Sequence, residues 1–235
     1  MAALSASVRL LNWSSGKDAA YSLWLLRREG RPVNALLTTV SSPDGRISMH
    51  GVRMALLERQ AAAIGLPLHT VSLPENCGMQ HYNELMQAAL DQYKGHQHRI
   101  AVFGDIYLED LRRYREEQLA KAGFTAEFPL WKMDTSLLAR EVIGAGFRAV
   151  VVCVNARLLD KSFAGRQYDT GFLNDLPPGI DPCGENGEFH TFVYDGPIFS
   201  HPLRVRNGKT VYHSYPREKE QQYDNGFYFT DVLPY

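Results

Sequence analysis

What this sequence has little of narrows it first. Its 235 residues hold three cysteines, Cys77, Cys153 and Cys183, far apart and without a C-x-x-C. That usage excludes a disulfide framework and a zinc knuckle and suits a reducing compartment. No charge of one sign dominates, since 25 Lys and Arg stand against 26 Asp and Glu for a net charge of -1. A chain that grips tRNA or DNA carries a basic excess or a basic run. The longest basic runs here are the pairs Arg27-Arg28 and Arg112-Arg113, which read as solvated helix faces, so a nucleic-acid partner is not expected. No apolar stretch reaches membrane-spanning length, and the opening M-A-A-L-S-A-S lacks the basic and apolar parts of a secretion signal. The expectation is a soluble, cytoplasmic protein with no membrane partner. Repeats and low-complexity tracts are also missing. With 45% hydrophobic content the chain can bury a full core, as one large domain or one domain with an extension.

Among what is there, Val8 to Lys17 (V-R-L-L-N-W-S-S-G-K) orders the rest. Val8, Leu10 and Leu11 read as a short strand, and a helix-forming run follows from Asp18 to Gly30. Ser14, Ser15 and Gly16 between them leave backbone N–H groups uncovered at the positive end of a helix dipole, which makes an anion socket. A Walker loop is excluded because no glycine stands five residues before Gly16 and Asp18 follows Lys17. The dinucleotide fingerprint is absent from this turn as well. S-S-G-K-D-A instead resembles the S-G-G-x-D-S pyrophosphate loop (PP-loop) of the ATP-pyrophosphatase superfamily. Ser15 stands where that loop's first glycine is usual, and Ala19 where a phosphate-binding serine is usual.

Further along, strand and helix alternate. Strands are predicted at 33–40, 68–73, 99–103, 126–130 and 149–154, with helices at 51–64, 79–93, 108–122 and 135–145. Alternation of this kind predicts a parallel sheet with helices on both faces and ligands at the carboxyl ends of its strands. The S-S-G-K loop, the S-M-H-G loop (Ser48 to Gly51) and the turn at Gly104-Asp105 then share one rim. The chain is read as a nucleotide-binding domain over 1–156 and a C-terminal extension over 157–235. In the extension we expect a helix over 158–168, a rigid turn at 176–180 and antiparallel strands, with Asn207-Gly208 as a two-residue hairpin turn. Tyr212, Tyr215, Tyr223, Phe227, Tyr228 and Phe229 cover this sheet or pack a homodimer; covering is the commoner outcome.

A second constellation, D-P-C-G-E-N-G-E-F-H-T-F, occupies 181–192. Asp181, Glu185, Asn186, Glu188 and His190 fall within ten residues, and Gly184 and Gly187 allow the bend that brings polar side chains toward one point. Alternation along the strand that follows predicts Glu188 and His190 on one face. Cys183 invites a nucleophile reading but has no base near it in sequence. His50 reads as a polar residue at a helix start.

G-D-I-Y-L-E-D-L-R at 104–112, P-L-W at 129–131 and D-P-C-G-E-N-G-E-F-H-T-F-V-Y-D-G-P-I-F at 181–199 resemble the diphthine-ammonia ligase family (ATP-binding diphthamide synthetase), within the PP-loop superfamily. The resemblance runs from about residue 8 to 200. It implies a Rossmann-like (HUP-type) α/β fold and an ATP-dependent amidation, in which a carboxylate is adenylated, pyrophosphate leaves, and ammonia or an amine displaces AMP. ATP would be held by Ser14, Ser15, Gly16, Lys17, Asp18, Gly104 and Asp105, and the substrate by Gly184, Glu185, Asn186, Gly187, Glu188 and His190. Mg²⁺ is expected with the nucleotide, on Asp18. Lys17 would steady phosphoryl charge, and Glu185, Glu188 or His190 would take a proton from the attacking nitrogen. Diphthamide-making members carry E-G-G-E-x-E-[ST] in the last motif. This chain has Asn186 for a glycine and His190 for a glutamate, as bacterial relatives do, so the expected acceptor is not diphthine. Two other readings are an ATP- or AMP-binding sensor without turnover, which Ser15 and Ala19 favour, and a PP-loop tRNA-modifying enzyme, which the charge balance and unpaired cysteines disfavour.

Overall fold

The computed structural model describes residues 7–41, 45–47, 50–75, 77–215 and 225–235. Its first sheet centres on β1 (Ser7–Asn12), which pairs in parallel with β2 (Ala35–Ser41) on one side and β5 (His98–Val102) on the other. Beyond β2 lies the parallel β4 (Leu68–Leu73), and the antiparallel β3 (Arg46–Ile47) joins β2 at Val40 and Ser41. Beyond β5 lies the three-residue β6 (Thr125–Glu127). The chain builds outward from β1 to β2 and β4, then crosses to β5 on the other side. The switch point therefore falls between β1 and β5, where an open α/β sheet leaves a crevice.

Helices cover both faces, as expected. β1 shows why they must, since Val8 and Leu10 bury on one face and Leu11 on the other. α1 (Lys17–Arg28) and α2 (Met54–Ile64) pack with Leu11, Leu36 and Val102, whereas α3 (Met79–Asp91) and α4 (Glu109–Lys121) lie over Val8, Leu10 and Phe103. α2 stops at Gly65, whose φ of 76° lets its N–H turn back to Ala61 O. α5 (Thr135–Gly144) begins where the Asp134 carboxylate accepts from Leu137 N. Arg27 is not a merely solvated residue: its guanidinium donates to Ile64 O and Ile198 O.

The second sheet is antiparallel, in the order β8 (Phe189–Asp195), β7 (Arg148–Asn155), β10 (Asn225–Pro234), β9 (Val205–Tyr215). β7 thus leaves the alternating pattern that reads it as one more parallel strand. Ala149 to Val154 are buried throughout, and an apolar run buried on both faces reads alike in either kind of sheet. The helix expected over 158–168 is replaced by a short 3₁₀ turn (Lys161–Phe163) and an extended run, with α6 (Thr170–Asp175) after it. β10 pairs with β7 only at Cys153, Val154 and Asn155. The backbone of 165–168 takes the vacant place, through Gly165 N to Val151 O, Val151 N to Arg166 O and Tyr168 N to Ala149 O. Asn207-Gly208 is no hairpin turn either, but lies inside β9 beside an irregularity opposite Asp231, with Asn207 Nδ2 donating to Gly165 O. Tyr212 packs on Tyr228 at 5.3 Å and stays 53% exposed. Ser48, Met49 and Tyr223 lie outside the described residues.

The two sheets meet at Gln60 of α2, which is fully buried. Its Nε2 donates to Ser15 O (3.1 Å) and Val193 O (2.6 Å), and its Oε1 accepts from Trp13 Nε1 (2.9 Å). Replacing it with leucine leaves a buried carbonyl and an indole N–H without partners. Gln60→Leu is expected to lower unfolding stability by about 3 kcal/mol, seen as an earlier urea midpoint with an unchanged slope.

Candidate active site

The turn that opens α1 is bonded to the other sheet. Ser15 is fully buried with φ 70°, and its carbonyl accepts from Val193 N of β8 (3.0 Å) as well as from Gln60. Gly16 is the N-cap of α1, extended and without a side-chain cap. A Cβ there would meet His50 Cε1 and Thr191 O at 3.1 Å each, so glycine permits the close approach. Lys17 N donates to Thr191 Oγ1 at 3.1 Å, across 174 positions of sequence.

The second bend braces itself and then reaches over. Asp181 Oδ1 accepts from Cys183 N (2.8 Å) and Glu185 N (3.3 Å). Glu188 accepts from Asp181 N, Asn186 N and Asn186 Nδ2 at 2.9 to 3.1 Å and is 2% exposed. It closes the loop ahead of β8 and does not share the strand face of His190. Glu185 instead crosses to the first sheet, where its Oε1 accepts from Ile106 N (2.7 Å) and Tyr107 N (3.3 Å). From the opposite side Lys17 Nζ donates to both Asp18 oxygens at 2.9 Å and to Cys183 O, under the rings of Tyr168 and Phe189.

A cavity of about 640 Å³ lies between the two bends. Ser14, Lys17, Asp18, Gly104, Asp105, Gly184, Glu185, Asn186, Gly187 and His190 line it, whereas Ser15, Gly16 and Glu188 stand behind its wall. Gly104 is required for closeness: a Cβ there would come within 2.9 Å of the Asp18 backbone. Burial raises the carboxyl pKa values of Asp18 and Asp105, against the pull of Lys17 on the first and Arg115 on the second. Burial also lifts Glu185 to about 7, although two backbone N–H groups favour its charged form. Desolvation opposes the Lys17 ammonium, but the charge and hydrogen bond of Asp18 together with Cys183 and Glu185 outweigh it and the pKa rises. His190 falls to about 4 through burial and Lys17, and His50 lies well below its usual value through burial and the neighbouring His190. The two imidazoles stack at 4.6 Å, and His50 Nδ1 lies 3.3 Å from Thr191 O. Both are neutral near pH 7. Burial pushes the Cys183 thiol up to about 12, which removes it as a nucleophile.

Comparison with known families decides what this arrangement belongs to. Residues 8–125 match the diphthamide synthase N-terminal domain, and residues 134–229 match the diphthamide synthase C-terminal domain. The chain belongs to the diphthamide synthase family. It is 26% identical over 225 residues to the diphthine–ammonia ligase of Danio rerio, covering 86% of this chain and 87% of that one. The Homo sapiens diphthine–ammonia ligase is 25% identical over 224 residues, covering 86% and 84%. That of Schizosaccharomyces pombe is 26% identical over 226 residues, covering 86% of this chain and 36% of the yeast protein.

Relative to the family's sequence motifs, the structure adds residues that sequence reasoning missed. His50 lines the cavity although it reads as a helix-start residue; its place in the S-M-H-G loop, on the rim where ligands are expected, was the available signal. Thr191 and Gln60 act across distances of sequence that no local motif records, and Arg115 reaches back from α4 to Asp105. Ser15, where the PP-loop pattern has a glycine, adopts a left-handed conformation, and its buried Oγ has no hydrogen-bond partner among the described residues. Ser15→Gly removes both penalties and is expected to raise unfolding stability by about 1 kcal/mol, read as a later denaturant midpoint.

Proposed function

We propose that the chain adenylates the carboxylate of an acceptor other than diphthine and passes it to ammonia or an amine. Family membership makes it an ATP-dependent carbon–nitrogen ligase. The observation that carries the finer reading is the convergence of the S-S-G-K-D turn and the acidic bend on one cavity, tied by Lys17 to both.

The roles follow from what each group faces. The positive end of α1, beyond the Lys17 N–H that Thr191 Oγ1 engages, and the close Gly104 turn offer backbone and dipole to the triphosphate. Lys17 keeps its charge beside Asp18 and holds the bend in place, a positioning role as well as an electrostatic one. Among the described residues no three metal-ligating side chains are grouped to hold an ion by themselves. Asp18 and Asp105 nevertheless share the cavity wall, and a Mg²⁺ carried by a nucleotide needs only one or two carboxylates. Bound there, Mg²⁺ would neutralise charge on the phosphoryl oxygens.

Amide formation releases a proton from the attacking nitrogen. Glu185 is the base we assign, because it lies on the cavity wall with a pKa near the operating pH. Glu188 serves to shape the loop, since its oxygens are engaged by three loop donors. His190 and His50 present an uncharged face where diphthamide-making members carry a carboxylate, which supports a different acceptor. A nucleotide-binding module without turnover is the reading that Ala19 and the engaged Lys17 would favour. It is separated by product, because such a module releases no pyrophosphate.

Glu185→Gln is expected to leave the first-turnover burst of pyrophosphate intact and to slow steady-state turnover by about 10²- to 10⁴-fold. In the unmodified protein, at a constant concentration of free ammonia, the steady-state rate should fall tenfold per pH unit below about 7, as Glu185 becomes protonated, and level off above it. Rapid-quench analysis of labelled ATP with ammonium and cell extract as acceptor source measures both. A wild-type rate for Glu185→Gln would remove it as the base.

A further inference from the structure

A second, larger cavity opens beside the first. Between α3 and α4 the wall encloses about 990 Å³, and it shares Asn12, Tyr82, Met86, Phe103, Leu111 and Arg115 with the nucleotide cavity. The helices that flank it are unusually open. α1 buries seven of its residues and α2 six, but α3 buries only Leu90 and α4 only Leu119. Met79 is 60% exposed, and Leu85 and Met86 only partly bury against the sheet. Two amphipathic helices that leave apolar side chains half covered over a sheet make a groove of the size that small ligands occupy.

The charges along this groove are arranged unevenly. At its rim Glu84 accepts from Gln80, Asp91 accepts from Gln87 and pairs with Lys94, and Lys121 donates to Gln118. The other cation on the wall, Arg115, stands at the junction with the nucleotide cavity. Its guanidinium lies 4.2 Å over Phe103 and pairs with Asp105 through Nε at 2.8 Å and Nη2 at 3.3 Å. A ligand entering from the groove thus meets apolar and amide walls along its body and a guanidinium at its tip, which is the fork that matches a carboxylate.

We propose that the groove between α3 and α4 binds the acceptor, a small organic acid with an apolar body, its carboxylate led by Arg115 to the junction with the nucleotide cavity. This rests on the ligase reading for the fate of the carboxylate, but binding in the groove does not depend on turnover. In that arrangement Asp105 gives up part of Arg115 to the incoming carboxylate, and the nucleotide keeps its own cavity.

Dansylglycine is a fluorescent acid of this class, and dansylamide is its counterpart without the carboxylate. Both are titrated into the full chain with and without α,β-methylene ATP, which cannot release pyrophosphate. Dansylglycine is expected to bind at least tenfold more tightly than dansylamide, and the ATP analogue should not displace it. Arg115→Gln should abolish the preference for the acid. Ala88→Trp, at an exposed position on the groove wall, should weaken dansylglycine at least tenfold while leaving binding of the ATP analogue unchanged. No saturable dansylglycine binding below about 1 mM, competition by the analogue, or indifference to Ala88→Trp would each overturn the proposal. Pyrophosphate release, assayed separately, reports on the ligase reading alone.

Discussion

The structure depends on one seam, the docking of the turn before α1 onto β8. Ser15 O receives Gln60 and Val193 N, Lys17 N finds Thr191 Oγ1, and Lys17 Nζ finds Cys183 O. These are polar contacts in the driest part of the molecule, where an unmatched donor or acceptor costs about 1–3 kcal/mol. The seam therefore fixes a relative position more firmly than apolar packing would. Without it, the two sheets would still share an apolar core, but the S-S-G-K-D turn and the acidic bend would lose the bonds that set the distance between them.

From that position follows the electrostatic character of the cavity. Two cations, Lys17 and Arg115, are set among the carboxylates of Asp18, Asp105 and Glu185, and the two histidines contribute no charge near neutral pH. A wall of this kind repels a triphosphate unless positive charge arrives with it or protons are held. Burial first, and neighbouring carboxylates second, raise the pKa values of the three acids. That burial leaves Glu185 able to exchange a proton around neutrality, and the carboxylates around it give the groove-side guanidinium of Arg115 its weight.

The legible part of the fold was the part written in local periodicity. Alternating apolar runs over 8–145 gave the strands and helices of the first sheet, because each crossover helix sits beside the strand it follows. β7 could not be assigned to its sheet, since Ala149 to Val154 look the same whichever neighbours hydrogen-bond to them. The run 158–168 misled for a related reason: its residues tolerate a helix, but the open flank of β7 offers its backbone better partners. In the site, the two loops were legible from their glycines and acids. Side-chain direction was not. Glu188 and Glu185 are three residues apart in one motif, yet one turns inward to hold the loop and the other reaches across to Ile106. His50, Gln60 and Arg115 needed coordinates because their partners lie elsewhere in the chain.

The reach from Lys17 to Thr191 has a kinetic meaning as well. Contacts between distant positions form only after the long intervening chain has been organised, so they belong to the late, slow part of folding. The first sheet can be built from neighbouring segments as they are made, whereas a whole binding pocket waits for β8, near the end of the chain. A ribosome-bound fragment that stops short of β8 would have a complete first sheet and only half a pocket.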